Sequence, residues 1–218
     1  MRRFKKCIVT GATGSGGSYL IEHILNKKKS IKIFGFYRSK GYFDDLKKYK
    51  NCKLIKINLL DYKNTKKQIN KIKPDVIFHL ASDANVRNSF DDPINNSINN
   101  NTITINLLEA VRRLNIDPVI LICSSSEVYG NVPNNQMPIN EQQPIKPINP
   151  YAVTKAYQDL ISQVYFKSFK TKVIITRMFS YTNPRRRNLF QTPFASQIAE
   201  IERGRKSILI HGNLKSKR

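Results

Sequence analysis

Acidic residues are scarce in this chain: 15 Asp and Glu stand against 38 Lys and Arg, a formal net charge of +23 over 218 residues. Cysteine is scarcer still. Cys7, Cys52 and Cys123 are widely spaced and each sits in an apolar run. That excludes a disulfide framework or a cysteine metal cluster and reads as reduced core thiols of a cytoplasmic protein. No apolar stretch approaches the length of a membrane span. The basic start Met1-Arg2-Arg3-Phe4-Lys5-Lys6 is followed only by Cys7-Ile8-Val9 before Thr10-Gly11, too short for a secretory signal core. Metal-ligand clusters and nucleophile-elbow motifs are both missing. The positive charge comes without a recognition-helix, zinc or aromatic-basic motif, and lysine, isoleucine and asparagine are abundant together. The charge is therefore read as compositional bias, with no nucleic acid and no membrane among the expected partners. It still attracts a polyanionic small substrate such as a nucleotide diphosphate.

What is present is an ordinary apolar fraction of 40%, enough for one sizeable α/β domain and part of a second. Short apolar runs at Cys7–Thr10, Ile31–Tyr37, Leu54–Ile57, Val76–Leu80, Val119–Cys123 and Val173–Thr176 alternate with helical patterns. The helical patterns lie near Ser18–Asn26, Lys63–Lys71, Ile98–Leu114 and Tyr151–Phe169. Strands apolar throughout suit a parallel sheet buried on both faces, and the alternation predicts a doubly wound α/β fold of Rossmann type. Solenoid-type repeats are absent. Asn131–Pro150 reads as a long polar loop over the carboxyl ends of the strands, where ligands bind in this architecture. Beyond it a helix is expected over Phe194–Arg203 and a strand at Ile208–Ile210. The expected organisation is a dinucleotide-binding domain over 1–176 and the beginning of a smaller substrate domain over 177–218.

Three segments carry chemistry. Gly11-Ala12-Thr13-Gly14-Ser15-Gly16-Gly17 follows the first strand, and glycines at 11, 14 and 17 let a backbone turn tightly and approach a pyrophosphate at a helix N-terminus. The second strand ends in Tyr37-Arg38-Ser39-Lys40, with no acid for a ribose 2′-hydroxyl. Arg38 suits a 2′-phosphate instead, which favours NADP with NAD as the alternative. Ser124-Ser125-Ser126-Glu127 emerges from the carboxyl end of the fifth strand. A hydroxyl there can bond a substrate oxygen that becomes a ketone, and Glu127 can take the acidified proton on the neighbouring carbon. Tyr151 and Lys155 are four residues apart and share a helix face. A phenol ordinarily titrates near pH ~10; a lysine ammonium beside it favours the phenolate and makes it a usable base. His79, inside Val76-Ile77-Phe78-His79-Leu80-Ala81, reads as a buried, hydrogen-bonded histidine rather than a ligand.

Together these residues resemble the extended short-chain dehydrogenase/reductase superfamily, through Thr10-Gly11-x-x-Gly14-x-x-Gly17, Asp75-x-Ile77-x-His79-Leu80-Ala81 and Tyr151-x-x-x-Lys155. Within it the chain is most similar to the GDP-mannose 4,6-dehydratases and the related GDP-4-keto-6-deoxymannose reductases. Ser124-Ser125-Ser126-Glu127-Val128-Tyr129-Gly130, Asn149-Pro150-Tyr151-Ala152-Val153, Asn183-Pro184-Arg185-Arg186 and Gly212-Asn213-Leu214 carry that likeness. The resemblance implies Ser125, Glu127, Tyr151 and Lys155 as catalytic residues. It implies Gly11, Thr13, Gly14, Ser15, Gly17, Arg38, Asn58, Leu59, Leu80 and Ala81, with Tyr151 and Lys155, as cofactor-binding residues. Ser126, Arg185, Arg186, Phe190 and Arg218 fall in segments that line the nucleotide-sugar pocket. The implied reaction is dehydration of a GDP-linked sugar. The alternatives are a 4-keto reductase or epimerase on the same scaffold, or a non-catalytic NADP-binding protein. A homo-oligomer is implied as well, and the family extends past Arg218 with the rest of a substrate domain. Two positions depart from the family pattern: Asn58 stands where an adenine-contacting aspartate is usual, and Ser180 where an asparagine is usual.

Overall fold

Strands that are apolar on both faces need cover on both sides, and helices with one apolar stripe supply it. The computed structural model, which describes residues 4–186, 191–212 and 214, shows this arrangement. The chain divides into two compact units, Met1–Phe179 and Ser180–Arg218. The first holds six parallel strands, β1 (Lys6–Thr10), β2 (Lys32–Tyr37), β3 (Cys52–Lys56), β4 (Val76–His79), β5 (Val119–Cys123) and β6 (Val173–Thr176). Their order in the sheet is β3-β2-β1-β4-β5-β6. The order reverses between β1 and β4, so the carboxyl ends of these two strands open the crevice where ligands bind in doubly wound sheets.

Side chains alternate across each strand and separate two cores. Cys7 and Val9 of β1 pack with Ile21 and Leu25 of α1 (Ser15–Lys27) and Leu46 of α2 (Phe43–Lys47). Ile8, between them in sequence, points the other way. It joins Ile69 of α3 (Tyr62–Ile72), Leu107, Leu108 and Val111 of α5 (Pro93–Arg113) and Tyr165 of α6 (Pro150–Phe169). Each fully buried Ile or Leu contributes about 1.5–3 kcal/mol over its exposed state, so the two faces together hold the sheet. A short α4 (Val86–Asp91) precedes α5. Asp61, Asn85, Asp92 and Asn149 cap α3, α4, α5 and α6 through their side chains, each accepting from an amide in the first turn.

Three sequence expectations are corrected here. The first helix begins at Ser15 and not at Ser18, because Gly16 and Gly17 lie inside its first turn rather than in a loop. The segment Asn131–Pro150 is less polar than its composition suggests: Val132, Ile139 and Ile145 pack on Val128, Tyr129 and Ala156 in a small core of their own. Ile208–Ile210 forms no strand. In the second unit, the side chain of Gln197 on α7 (Gln191–Glu202) holds Ile210 at both ends of its amide, accepting from Ile210 N–H at 2.8 Å and donating to its carbonyl at 3.0 Å. That pairing replaces a strand ladder.

Candidate active site

The first half of the site is the strand–loop–helix from β1 into α1. Gly11 sits at φ +66°, and a Cβ there would lie 2.9 Å from the Ala81 amide nitrogen at the end of β4. A Cβ on Gly17 would lie 2.2 Å from the Gly11 carbonyl. Gly11 is therefore required by the packing of the loop on the end of β4, and Gly17 by the packing of the loop on itself. Gly14 is different: it caps α1 without a side-chain hydrogen bond, unlike the caps of α3 to α6, and it lines a cavity. The cavity, of about 190 Å³, is bounded by Gly11, Thr13 and Gly14, by Arg38 and Ser39, by Asn58 and Leu59, and by Ala81, Ser82 and Asn99. Thr13 joins two of these walls, donating its hydroxyl to the Ser39 carbonyl at 2.7 Å and accepting from Tyr42 N–H at 2.8 Å.

These residues fit a dinucleotide. First-turn amides of α1 without a capping side chain favour a phosphate. The buried Ser82 Oγ on the cavity wall has no hydrogen-bond partner, which a ligand would supply. Pockets that envelop a whole ligand run to ~300–1,000 Å³, so this smaller space matches one half of such a molecule. Arg38 lies on the wall and donates to Asn99 Oδ1 at 2.9 Å. Asn58 is present too, its Oδ1 accepting from Leu60 N–H at 3.1 Å in a local turn. Of the expected cofactor residues, Ser15, Gly17, Leu80, Tyr151 and Lys155 do not line the cavity: Ser15 begins α1, Gly17 packs on Gly11, Leu80 packs into the α1-side core, and Tyr151 and Lys155 lie on α6.

The second half forms where the end of β5 meets the first turns of α6. Lys155 is buried and donates its ammonium to the Cys123 carbonyl at 2.8 Å, and Ser124 Oγ lies 3.4 Å from the Lys155 carbonyl. The same ammonium lies 5.8 Å from the Tyr151 ring centroid. Tyr151 is 8% exposed, and its amide donates to Ser89 Oγ at 3.2 Å. Ser125 Oγ accepts from Glu127 N–H at 3.2 Å, opening a 3-10 turn over Ser126–Tyr129; Ser126 N–H donates to the Met178 carbonyl at 2.9 Å. Asn149 joins the two pieces. Its Oδ1 caps α6 by accepting from Ala152 N–H at 2.8 Å, which leaves its Nδ2 to donate to Glu127 Oε2 at 3.1 Å. Ser125, Glu127, Tyr151 and Lys155 thus converge at one strand–helix junction.

Two supports hold this junction. Arg177 donates to both carboxylate oxygens of the fully buried Asp159 at 2.7 and 3.3 Å, to the Tyr129 hydroxyl at 3.0 Å and to the Glu141 carbonyl at 2.9 Å. It thereby ties the turn carrying Glu127 to α6. Asn100, fully buried on α5, donates to Thr154 Oγ1 at 3.0 Å, and Thr154 donates to the Tyr151 carbonyl at 2.8 Å. His79 is buried between Thr10 Oγ1 at 2.9 Å and Thr104 Oγ1 at 3.0 Å. Sequence reasoning missed Ser82, Asn99 and Asn149. Asn149-Pro150 before a helical pattern is a legible cap signature, whereas nothing separates Asn99 from the other asparagines around it.

Arg185 and Arg186 lie in the second unit on a turn around Asn183, which accepts from Arg185 N–H through its side chain at 2.9 Å and from Arg186 N–H through its carbonyl at 2.8 Å. Phe190 and Arg218 lie outside the described residues. Among the described residues no cluster of three His, Cys, Asp or Glu could hold a metal ion, and no helix is long and apolar enough to cross a membrane.

The doubly wound sheet, the glycine turn and the serine–tyrosine–lysine junction define an extended short-chain dehydrogenase/reductase. Comparison with known proteins narrows the class: the sequence profile of the GDP-mannose 4,6-dehydratase family matches residues 8–218, and the chain belongs to that family. It is 31% identical to a GDP-mannose 4,6-dehydratase of Vibrio cholerae over 96% of this chain and 59% of that protein. Among solved structures it is similar to a UDP-N-acetylglucosamine 4-epimerase from Methanobrevibacter ruminantium bound to UDP-N-acetylmuramic acid. That likeness has a TM-score of 0.82 and 29% identity, over 97% of this chain and 67% of the other. It is likewise similar to a UDP-glucuronic acid 4-epimerase from Bacillus cereus in complex with UDP-glucuronic acid and NAD. Here the TM-score is 0.81 and the identity 28%, over 89% of this chain and 63% of the other. The chain spans a little under three fifths of the length of the dehydratase it matches.

Proposed function

We propose that this chain carries the dinucleotide-binding and catalytic half of an NADP-dependent nucleotide-sugar 4,6-dehydratase whose substrate is GDP-mannose. The observation that carries the reading is Glu127, held by Asn149 against the first turn of the helix that bears Tyr151 and Lys155. A reductase or epimerase needs a proton relay at one oxygen. A 4,6-dehydratase needs in addition a base for the carbon acid beside it, a step that a 4-keto reductase or a 4-epimerase does without.

A nicotinamide dinucleotide held by the glycine turn would supply a hydride acceptor and donor, which would keep the reaction redox-neutral overall. The chain's own groups handle protons. Tyr151 as phenolate takes the proton of the C4 hydroxyl, and the Lys155 ammonium stabilises the phenolate by its charge. Ser125 donates a hydrogen bond to the same oxygen as it becomes a ketone. Glu127 removes the C5 proton, and the proton it gains is available to the hydroxyl leaving C6. NADP is favoured over NAD because Arg38 stands on the cavity wall, and none of the ion pairs among the described residues involves it.

The second unit is read as the beginning of the sugar-nucleotide domain, with Arg185 and Arg186 taking the diphosphate. Self-association is part of the same reading: α6 leaves Val153, Leu160 and Val164 about half exposed on one helical face.

The test is incubation of purified protein with GDP-mannose without added reductant, followed by mass spectrometry. A product lighter by one water, absent with Glu127→Gln, is the expected outcome. NADPH consumption on a 4-keto-6-deoxy sugar, with no dehydration, would replace this reading by that of a reductase.

A further inference from the structure

Arg38 is oriented by a group whose polarity it does not choose. Asn100 Oδ1 accepts from Asp83 N–H at 2.7 Å, and Asn100 Nδ2 donates to the Asp83 carbonyl at 3.0 Å. A backbone amide and carbonyl cannot exchange roles, so the carboxamide of Asn100 has one possible orientation. Asn99 Nδ2 donates to that same Asn100 Oδ1 at 3.0 Å. The remaining atom of Asn99, its oxygen, must then face Arg38, and it accepts from the guanidinium at 2.9 Å. Arg38 and Asn99 both line the cavity. Asn99 is only half-buried, so the bond restrains the guanidinium rather than locking it.

A carboxylate at this place would cancel the charge of the guanidinium and would set an oxygen, not a donor, against Asn100 Oδ1. An amide oxygen aims it and leaves the charge intact. We propose that Asn99 is a specificity-determining residue for a 2′-phosphorylated dinucleotide: by holding Arg38 on the cavity wall through a neutral acceptor, it keeps a full positive charge for the phosphate dianion. The inference rests on the reading of the cavity as an NADP site and adds the residue that sets the preference.

The experiment is isothermal titration of the purified chain with NADP⁺ and with NAD⁺, for the natural protein, Asn99→Asp and Asn99→Ala, with thermal melts to show that each variant is folded. The natural chain is expected to bind NADP⁺ more tightly by about tenfold or more. Asn99→Asp neutralises Arg38 and repels the phosphate, so NADP⁺ binding should weaken about tenfold while NAD⁺ binding stays within about twofold. Asn99→Ala keeps the charge and frees the guanidinium, and NADP⁺ binding should weaken by about threefold. Should Asn99→Asp fail to fold, the alanine variant decides: an unchanged NADP⁺ to NAD⁺ ratio overturns the role of Asn99. A preference retained in both variants overturns it too and leaves the NADP reading standing. Equal loss of both dinucleotides in a folded Asn99→Asp also overturns it, since Asn99 would then shape the cavity and not the choice. A natural chain with no preference, or with no binding of either dinucleotide, removes the NADP reading and this inference together.

Discussion

Burial, and next the nearby Lys155 charge, hold His79 neutral in the folded chain, pushing it from its ordinary 6.5 down to about 3. One tautomer suits its neighbours. Thr10 Oγ1 accepts from Ala81 N–H and so donates to His79 Nδ1, while His79 Nε2–H donates to Thr104 Oγ1, which passes its own proton to the Asn100 carbonyl. The unfolded chain binds a proton on this imidazole below pH 6.5 and the folded chain does not until about pH 3. The stability His79 contributes is therefore complete above 6.5 and declines as pH falls, by roughly 1 kcal/mol per unit. Glu109 has the same sign in a lower window. Arg112 foremost, with Arg113 and Tyr165, holds it from 4.5 down to about 2, so its contribution is present above 4.5 and lost below. Urea midpoints should fall between pH 6.5 and 4.5 in the natural chain. His79→Asn should flatten that stretch, and Glu109→Gln should lower the midpoints above 4.5 and remove the further fall below it. Asn100 is the other residue whose surroundings decide its worth. It is fully buried and bonded to Asp83, Asn99 and Thr154. Asn100→Ala orphans several of these groups and should lower unfolding stability by roughly 2–4 kcal/mol, measured by urea denaturation.

Within the β1–α1 unit, Gly14 and Gly17 differ by what surrounds them. A methyl group at Gly17 meets the Gly11 carbonyl at 2.2 Å, whereas at Gly14 it meets the same oxygen at 3.2 Å. Gly17→Ala should therefore destabilise the fold severely, by roughly 3 kcal/mol or more. Gly14→Ala should keep most of the melting temperature and weaken dinucleotide binding, because Gly14 faces the cavity. Thermal melts paired with NADP⁺ titration separate the two. The sequence made α3, α5 and α6 legible, since runs of 11 to 21 residues allow an apolar stripe to repeat. It hid α2 and α4, which at five and six residues complete less than two turns. Ile208–Ile210 carried the β-branched signal of a strand and found Gln197 in place of a neighbouring strand, because strand propensity states what fits a sheet and not that a sheet is there.

For the whole molecule, mass tests the proposed self-association through the half-exposed Val153, Leu160 and Val164 stripe on α6. Sedimentation should show a species heavier than 25.2 kDa, and Leu160→Glu should return it to the monomer with the melting temperature little changed. The sequence by itself determined the parallel sheet, the glycine turn and the Tyr151–Lys155 pair, because each is written in spacing: strand runs apolar on both faces, glycines three apart, and a helical step of four. Tertiary structure alone decided which groups serve them. Asn149 meets Glu127 across 22 residues, Arg38 meets Asn99 across 61, and Asn100 meets Thr154 across 54. Hydrogen bonds over such separations exist only once the strand order has brought the loops after β2, β4 and β5 to one edge of the sheet. Asparagine carries no periodic signal that could announce them, and its two ends take their roles from the partners that the fold provides.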